Sequence, residues 1–384
     1  MKKIRILHIA QAAGGVDRYI QMLLKYLNHD TFENILICSQ DYREEDYKDL
    51  ADSFEKVEMN REIGLSDIGA IVQVRRLIKK YKPDIVYAHS SKAGAIARLA
   101  KMGLGTLCIY NPHGWAFNMN CSSTKKNLYA LIEKAEAVFC DKIVCISEAE
   151  KQSALEKHIC GEEKLKVIYN GVDIEAYEKG PHGEVKRSDL AIPEDATVVG
   201  MVGRISLQKA PDVFVKMAKL VREKRSDAHF IIVGAGEQKE EIMEYARDNG
   251  MEEHLHITGW VKNPMSYIEL FDVACLLSRW EGFGLVIPEY MMAGKPIVAT
   301  NVDAIPNIIQ TGENGILVDC NDPKGASEAV IKLCDDVTLR SKIVKKATEC
   351  VHERFDAKRV ALEHEQLISQ MRSQLIQRRT NPMG

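Results

Sequence analysis

Glu281 and Glu289 stand eight positions apart, with Gly282, Phe283, Gly284 and Leu285 between them, after an apolar run and at the front of a helical pattern closed by Gly294 and Pro296. The glycines let backbone N–H groups approach a ligand closely. A helix start adds partial positive charge, so this turn is suited to a diphosphate. Carboxylates beside such a cradle would repel phosphate, and are better placed to accept hydrogen bonds from hydroxyls, one on a ribose and one on a sugar. Upstream, Gly203, Arg204 and Lys209 follow another apolar run. Two fixed cations there can neutralise a diphosphate and stabilise the charge that develops as it leaves, the work a metal ion does elsewhere.

Other turns follow apolar runs in the same way. Gly234-Ala-Gly236 invites comparison with a dinucleotide fingerprint, but position 239 is Lys where a third glycine belongs, which leaves a tight strand-to-helix turn that can line a nucleotide pocket. Trp260 and Val261 lie after the next run, with Trp260 readable as a core residue. In the first half, Gly14 and Gly15 open a helix, and His113-Gly-Trp115 follows a strand directly. Ser147-Glu148 and Asn170-Gly-Val-Asp173 read equally well as a helix cap with a turn or as ligand contacts.

These turns need a scaffold. Apolar runs at 4–9, 35–38, 85–88, 107–110, 143–146 and 167–169 alternate with amphipathic segments, and a second series repeats the rhythm at 198–202, 230–233, 254–257, 273–277, 297–300 and 316–318. Such alternation predicts α/β architecture, two doubly wound parallel sheets whose carboxyl ends face a central cleft. The expected boundaries are a first domain over 1–180, a linker over 181–196, a second domain over 197–355, and a polar C-terminal helix over 356–384 that crosses back to the first. At 384 residues, 46% hydrophobic and a net charge of −3, the chain is long enough for two cores and lacks the basic balance of a nucleic-acid partner. Ten scattered cysteines without metal-ligand spacing read as free thiols in a reducing compartment. The opening apolar run, interrupted by Arg5 and His8, reads as a strand and not a leader.

Glu, seven residues, Glu with Gly-Phe-Gly inside resembles the signature of retaining GT-B glycosyltransferases of family four, and the likeness covers almost the whole chain. Gly-Gly-Val-Asp-Arg from Gly14 and His-Ser-Ser-Lys-Ala-Gly ending at Gly94 are similar to bacterial capsule and exopolysaccharide transferases; Asp17 stands where Glu is more usual. The resemblance implies transfer of a sugar from a nucleotide diphosphate, a UDP-sugar by preference, to a glycan or lipid-linked acceptor with retention of configuration, no metal and no other cofactor. It carries catalytic roles onto Arg204, Lys209, His113 and Glu281. It carries donor contacts onto Gly15, Gly203, Gly234, Trp260, Val261, Gly282, Phe283, Gly284, Leu285 and Glu289, and acceptor-side roles onto Gly14 and Trp115. The implied location is cytoplasmic, and Arg75, Arg76, Lys79, Lys80, Lys82, Lys125, Lys126 and Lys134 offer either a solvated face or a peripheral membrane contact. A nucleotide-sugar epimerase, a phosphorylase of the same fold and a nonenzymatic sugar-nucleotide sensor remain open alternatives.

Overall fold

In the computed structural model, which describes residues 2–11, 13–60, 64, 66–119 and 121–380, the chain divides into two units. Residues 1–171 with 357–384 form one and residues 172–356 the other. Parallel strands in the first unit are β1 (Ile4–Ala10), β2 (Phe32–Cys38), β3 (Ser53–Lys56), β4 (Ile85–His89), β5 (Leu107–Asn111), β6 (Lys142–Cys145) and β7 (Leu165–Val167), in the order β3-β2-β1-β4-β5-β6-β7. The second unit has β8 (Val198–Val202), β9 (His229–Val233), β10 (Leu255–Ile257), β11 (Val273–Leu276), β12 (Ile297–Thr300) and β13 (Ile316–Val318), ordered β10-β9-β8-β11-β12-β13. Both sheets thus run outward from their first strand in two directions. The direction changes between β1 and β4 in one, and between β8 and β11 in the other. Five of the six apolar runs of the first half match strands; the sixth shifts to Leu165–Val167, and β3 is a half-exposed edge strand whose Ser53-Phe-Glu-Lys56 has too little apolar pattern to announce itself.

Two boundaries differ from the sequence expectation. The supposed linker belongs to the second unit, because its polar side chains find partners there. Arg187 donates to the carbonyls of Glu194 at 2.8 Å and Ala196 at 2.6 Å and pairs with Asp272 at 3.1 Å, while Glu184 accepts from Ser266 at 2.8 Å. The chain crosses between units after Gly171 and again at Ala357. The helix Ala357–Thr380 joins the first unit and is less polar in effect than its composition suggests: Val360, Ala361, His364, Leu367, Ile368 and Met371, spaced by one helical face, are buried with Tyr19, Ile20, Leu23 and Leu24 of the helix Gly15–Tyr26.

Under these two helices the sheet carries a polar band inside the core. His8 of β1, Tyr87 and His89 of β4, Asn34 of β2 and Asn111 of β5 are all fully buried. Burial holds His8 and His364 down to about 4, and pushes His89 well below the ordinary range. On the opposite face, buried Arg98 binds Glu133 at 3.0 Å and Glu136 at 2.6 Å, with its guanidinium 4.2 Å above the Tyr110 ring. Gly94 is required there, because a Cβ would meet Tyr110 Cε2 at 2.5 Å. This network seats the helix Ser123–Glu136. Glu150, on the helix Glu148–Glu156, is buried and accepts from the N–H of Ile146 at 2.6 Å and of Gly114 at 2.7 Å; burial lifts it to about 7. All ten cysteines are free thiols.

These groups set the pH response of the first unit. An unfolded chain takes protons onto His8 and His364 near pH 6.5, whereas the folded chain does so only near 4. Each therefore contributes about 3 kcal/mol that is present above pH 6.5 and lost as pH falls toward 4. His89 acts in the same direction, and Glu150, whose folded pKa is raised, acts oppositely between its ordinary value and about 7. The imidazoles outweigh the single carboxylate, so denaturant titrations should show stability falling steeply between pH 6.5 and 4.5; equal stability at both ends would contradict the buried neutral histidines.

Candidate active site

The strand ends of the second unit bring together one cluster of the residues singled out in the sequence. β8 and β11 pair only through Val199 with Val273 and Gly200 with Ala274, and then part. Tyr290 fills the divergence: the Val202 N–H donates to its hydroxyl at 2.8 Å and the hydroxyl donates to Cys275 O at 3.3 Å. Parallel α/β sheets bind ligands at such switch points. The loops leaving both strands meet there. Arg279 N–H donates to Gln208 O at 2.8 Å, Gln208 Nε2 to Trp280 O at 3.0 Å, and the Arg279 guanidinium grips Asp212 through two bonds of 3.0 and 2.8 Å.

This stapling delivers Lys209 to Glu281. Their side chains form an ion pair, and Ser278 Oγ donates to the same Glu281 oxygen, Oε1, at 2.7 Å. Ser278 is fixed in turn by Thr300, whose hydroxyl donates to its carbonyl at 2.6 Å, and the Glu281 N–H donates to Asp303 at 2.8 Å. Glu281 Oε2 has no hydrogen-bond partner among the described residues, although the residue is only 7% exposed. One carboxylate oxygen is thus neutralised and held, and the other is presented as an acceptor.

Gly203 and Gly234 sit beside this pair for reasons of space. A Cβ on Gly234 would stand 2.0 Å from Gly203 O, and one on Gly236 would stand 2.2 Å from Ile205 O. The turn read from sequence is therefore the place where the β9 loop presses on the β8 loop, with Gly203 N–H donating to Val233 O at 3.0 Å. Gly234 also bridges Gly259, which places the Trp260-Val261 loop next to it. Trp260 is 79% exposed, so the core reading of that ring is corrected: its loop projects beyond the edge of the apolar layer. Arg204 is not brought to Lys209 and Glu281. Its side chain is 72% exposed and pairs with Glu237 at 3.1 Å. Gly284, with φ of 80°, and Leu285 lead into the helix Val286–Met292, which carries Glu289 nearly buried in its first turn. Phe283 is buried against Phe355, so any donor contact by it is limited to backbone.

In the first unit, His113 takes a left-handed φ of 52° and Gly114 follows at 106°. The His113 N–H donates to Asn111 Oδ1 at 2.9 Å, and Glu150 holds the next N–H. Trp115, given an acceptor-side role by the resemblance, has its side chain buried: it is 1% exposed, its Nε1 donates to Glu150 O at 2.9 Å, and its ring stacks on Phe117. A large ring next to a strained turn anchors the turn by burial, while His113 stays only partly buried. His113 packs edge-on to Tyr19 at 4.7 Å, and burial together with His364 keeps its pKa well below the ordinary value. Gly14, φ 112°, caps the helix that starts at Gly15, and Asp17 accepts from Tyr47 at 2.5 Å and Gln21 at 3.1 Å, which gives that carboxylate a structural post. Ser147 and Asp173 are helix caps, accepting from Glu150 N–H at 3.1 Å and Ala176 N–H at 2.9 Å.

Several contributors escape sequence reading. Arg279, Asp212, Asp303 and Tyr290 act by meeting across 22 to 88 positions of chain, Ser278 bonds Glu281 three positions on, and His8 and His89 hide inside strands. Among the described residues no cluster of three or more histidine, cysteine or carboxylate side chains is arranged for a metal ion, and no helix is long and apolar enough to cross a membrane. Of the basic residues, Arg75 is occupied by the carbonyls of Ala100 and Met102 at 2.8 and 2.7 Å, and Lys80 by Glu55 at 2.7 Å. The helix Ser123–Glu136 instead exposes Leu128 and Leu131, with Val138 one turn beyond, flanked by Lys125 and Lys134.

Comparison with known proteins bears on both halves. The family model Glycosyl transferases group 1 matches residues 183–349, and Glycosyltransferase Family 4 matches residues 13–176. The UDP-Gal:alpha-D-GlcNAc-diphosphoundecaprenol alpha-1,3-galactosyltransferase of Escherichia coli is 30% identical over 346 residues, covering 88% of this chain and 89% of its own. The capsular polysaccharide biosynthesis glycosyltransferase CapM of Staphylococcus aureus is 26% identical over 312 residues, 78% of this chain and 80% of its own. Anabaena Alr3699/HepE, solved in complex with UDP and glucose, superposes with a TM-score of 0.81 over 95% of this chain and 99% of its own, at 19% identity, a shared fold.

The packing of the two loops is directly testable. Gly234→Ala should destabilise the second unit by about 2 kcal/mol or more, since backbone meets the new methyl group. Gly69→Ala, in the open interior of the helix Ser66–Tyr81, should instead stabilise by up to about 1 kcal/mol. Urea unfolding of both variants decides it; equal effects would contradict the close approach at Gly234.

Proposed function

The chain belongs to the group 1 glycosyltransferases, and from that premise we propose that it transfers a sugar from a UDP-sugar to a lipid-linked glycan acceptor, with retention of configuration and without a metal ion. The observation that carries the donor half is Glu281, with Oε1 committed to Lys209 and Ser278 and Oε2 open at the switch point of a parallel sheet. The open oxygen accepts from a hydroxyl of the donor sugar. Glu289, further along, accepts from the ribose. Lys209 keeps ammonium donors beyond the one given to Glu281, and these face the leaving diphosphate with help from Arg204 once Arg204 releases Glu237. The choice of UDP is supported by the E. coli relative, named for a UDP-Gal donor, and by the UDP held in the Anabaena structure. The same relative, named for a diphosphoundecaprenol-linked acceptor, supports a lipid carrier.

In this reading the acceptor oxygen attacks the anomeric carbon on the face from which the diphosphate departs. The carbon–oxygen bond to phosphate breaks, a phosphate oxygen takes the acceptor proton, and UDP leaves with the charge stabilised by Lys209. No carboxylate serves as a nucleophile. Glu281→Gln and Lys209→Met should each lower kcat/KM about 100-fold or more while near-ultraviolet circular dichroism stays native, and EDTA should leave the rate unchanged, with UDP release from UDP-sugars and a short polyprenyl-diphosphate sugar as the measurement. Full activity in either variant, or a rate lost to EDTA and restored by Mn²⁺, would overturn the assignment.

A lipid-linked acceptor must be met at a membrane surface. Leu128, Leu131 and Val138, each more than half exposed and flanked by lysines, fit shallow insertion among anionic headgroups. The chain should sediment with vesicles containing phosphatidylglycerol at low salt, and Leu128→Glu with Leu131→Glu should abolish this while soluble UDP-sugar binding persists. Failure of the wild-type chain to sediment at any ionic strength counts against membrane contact.

A further inference from the structure

Three imidazoles form a single hydrogen-bonded file in the first unit. His113 Nε2 lies 3.2 Å from His89 Nδ1, His89 Nε2 lies 3.2 Å from His8 Nδ1, and His8 Nε2 lies 3.3 Å from Asn34 Oδ1. The rings are near parallel, at 28° between His113 and His89 and 15° between His89 and His8. The file crosses four strands or strand ends, from the loop after β5 through β4 and β1 to β2. It passes the point where the sheet changes direction.

A neutral imidazole has one N–H and one lone pair, so only two arrangements satisfy both ring-to-ring contacts. Either all three rings carry the proton on Nε2, or all three carry it on Nδ1. Any mixture would face N–H with N–H, or lone pair with lone pair, between buried rings. A second proton on His8 or His89 would put a charge among buried rings, and burial holds both imidazoles well below their ordinary range. With the Asn34 amide turned so that Oδ1 faces the ring, it accepts only from an Nε2–H of His8, which selects the first arrangement. His89 Nε2–H then donates to His8 Nδ1, and His113 Nε2–H donates to His89 Nδ1. His113 Nδ1 has no hydrogen-bond partner among the described residues. His364 stands apart from the file and supports it from the side: its Nδ1–H donates to Val360 O at 2.7 Å, and its Nε2 meets the hydroxyls of Tyr19 and Tyr87 at 3.0 and 2.9 Å. Tyr19 presses edge-on to His113, and Tyr87 lies 4.2 Å from the His89 ring.

We propose that Asn34, His8 and His89 are positioning residues that lock His113 into its Nε2–H tautomer, so that the nitrogen it offers to a ligand is a lone pair accepting a hydrogen bond from a sugar hydroxyl. This rests on the glycosyl-transfer reading for the identity of the ligand, and on the file alone for the tautomer. His113 is then a hydrogen-bond acceptor, and neither an acid nor a donor to phosphate. Fixing the tautomer three residues deep removes a competing half of the population that would present N–H to the same hydroxyl.

Side-chain nitrogen spectra of the ¹⁵N-histidine-labelled full chain test the tautomer without any variant. His8, His89 and His113 are expected as Nε2–H forms, and Asn34→Leu is expected to turn His113 into a mixture. An Nδ1–H form at His89 or His113 in the wild-type chain overturns the proposal. Kinetically, His89→Phe should lower kcat/KM about tenfold, yet cost nothing further in a His113→Ala background, because it acts only through His113. Additive losses would show an independent structural role and overturn positioning. A chain that shows the Nε2–H file but releases no UDP with any acceptor would reject the proposed function and leave the tautomer standing.

Discussion

The Lys209–Glu281 ion pair can exist only because β8 and β11 stop pairing after two residues and let their loops turn toward each other. A charged pair so nearly removed from water is stable when its remaining hydrogen-bonding capacity is met, and breaking one typically costs about 3–5 kcal/mol. Here Ser278 meets part of it, Thr300 holds Ser278, and Arg279 and Asp212 fix the two loops against each other. Tyr290, one position beyond Glu289, closes the gap between the strands, so the helix that carries the second glutamate is tied to the divergence that creates the first. The glycines at 203, 234 and 236 complete the arrangement by allowing backbone to lie on backbone.

The first unit solves a similar problem with neutral groups. Its sheet changes direction between β1 and β4, and the side chains there are imidazoles and tyrosines in place of an ion pair. Burying neutral rings costs less than burying charge provided each N–H finds a lone pair, which the file from His113 to Asn34 arranges. The dependence runs through the C-terminal helix as well, since His364 reaches Tyr19 and Tyr87 from a segment more than 270 residues away in sequence. Both units therefore place their polar chemistry where the strand order reverses. They differ in whether charge or tautomer holds it.

Residues of similar sequence prominence ended in different places. His113 and Trp115 belong to one tripeptide, yet the indole is sealed in the core by Glu150 and Phe117 while the imidazole is partly buried against His89 and Tyr19. Arg204 and Lys209 read as a matched pair of cations, but one reaches Glu281 and the other lies on the surface with Glu237. A strand-to-helix turn has a fixed start and a free rotation, so five residues of spacing do not determine which side chain faces inward.

What the amino-acid order settled by itself was whatever depends on neighbours along the chain. Runs of Val, Ile and Leu separated by helical periods located twelve of the thirteen strands to within a few residues, and glycines after those runs marked the turns that carry Glu281, Lys209 and His113. Contacts between distant segments were left to the tertiary structure: the attachment of residues 181–196 to the second unit, the stapling of Arg279 to Asp212, the short β3 edge, and the file of His8, His89 and His113. A histidine within an apolar strand has the same local pattern whether it faces solvent, a lone pair or another ring. Only the register of β1 against β4, which sets Ala10 beside His89 and His8 beside Tyr87, puts those imidazoles in one line.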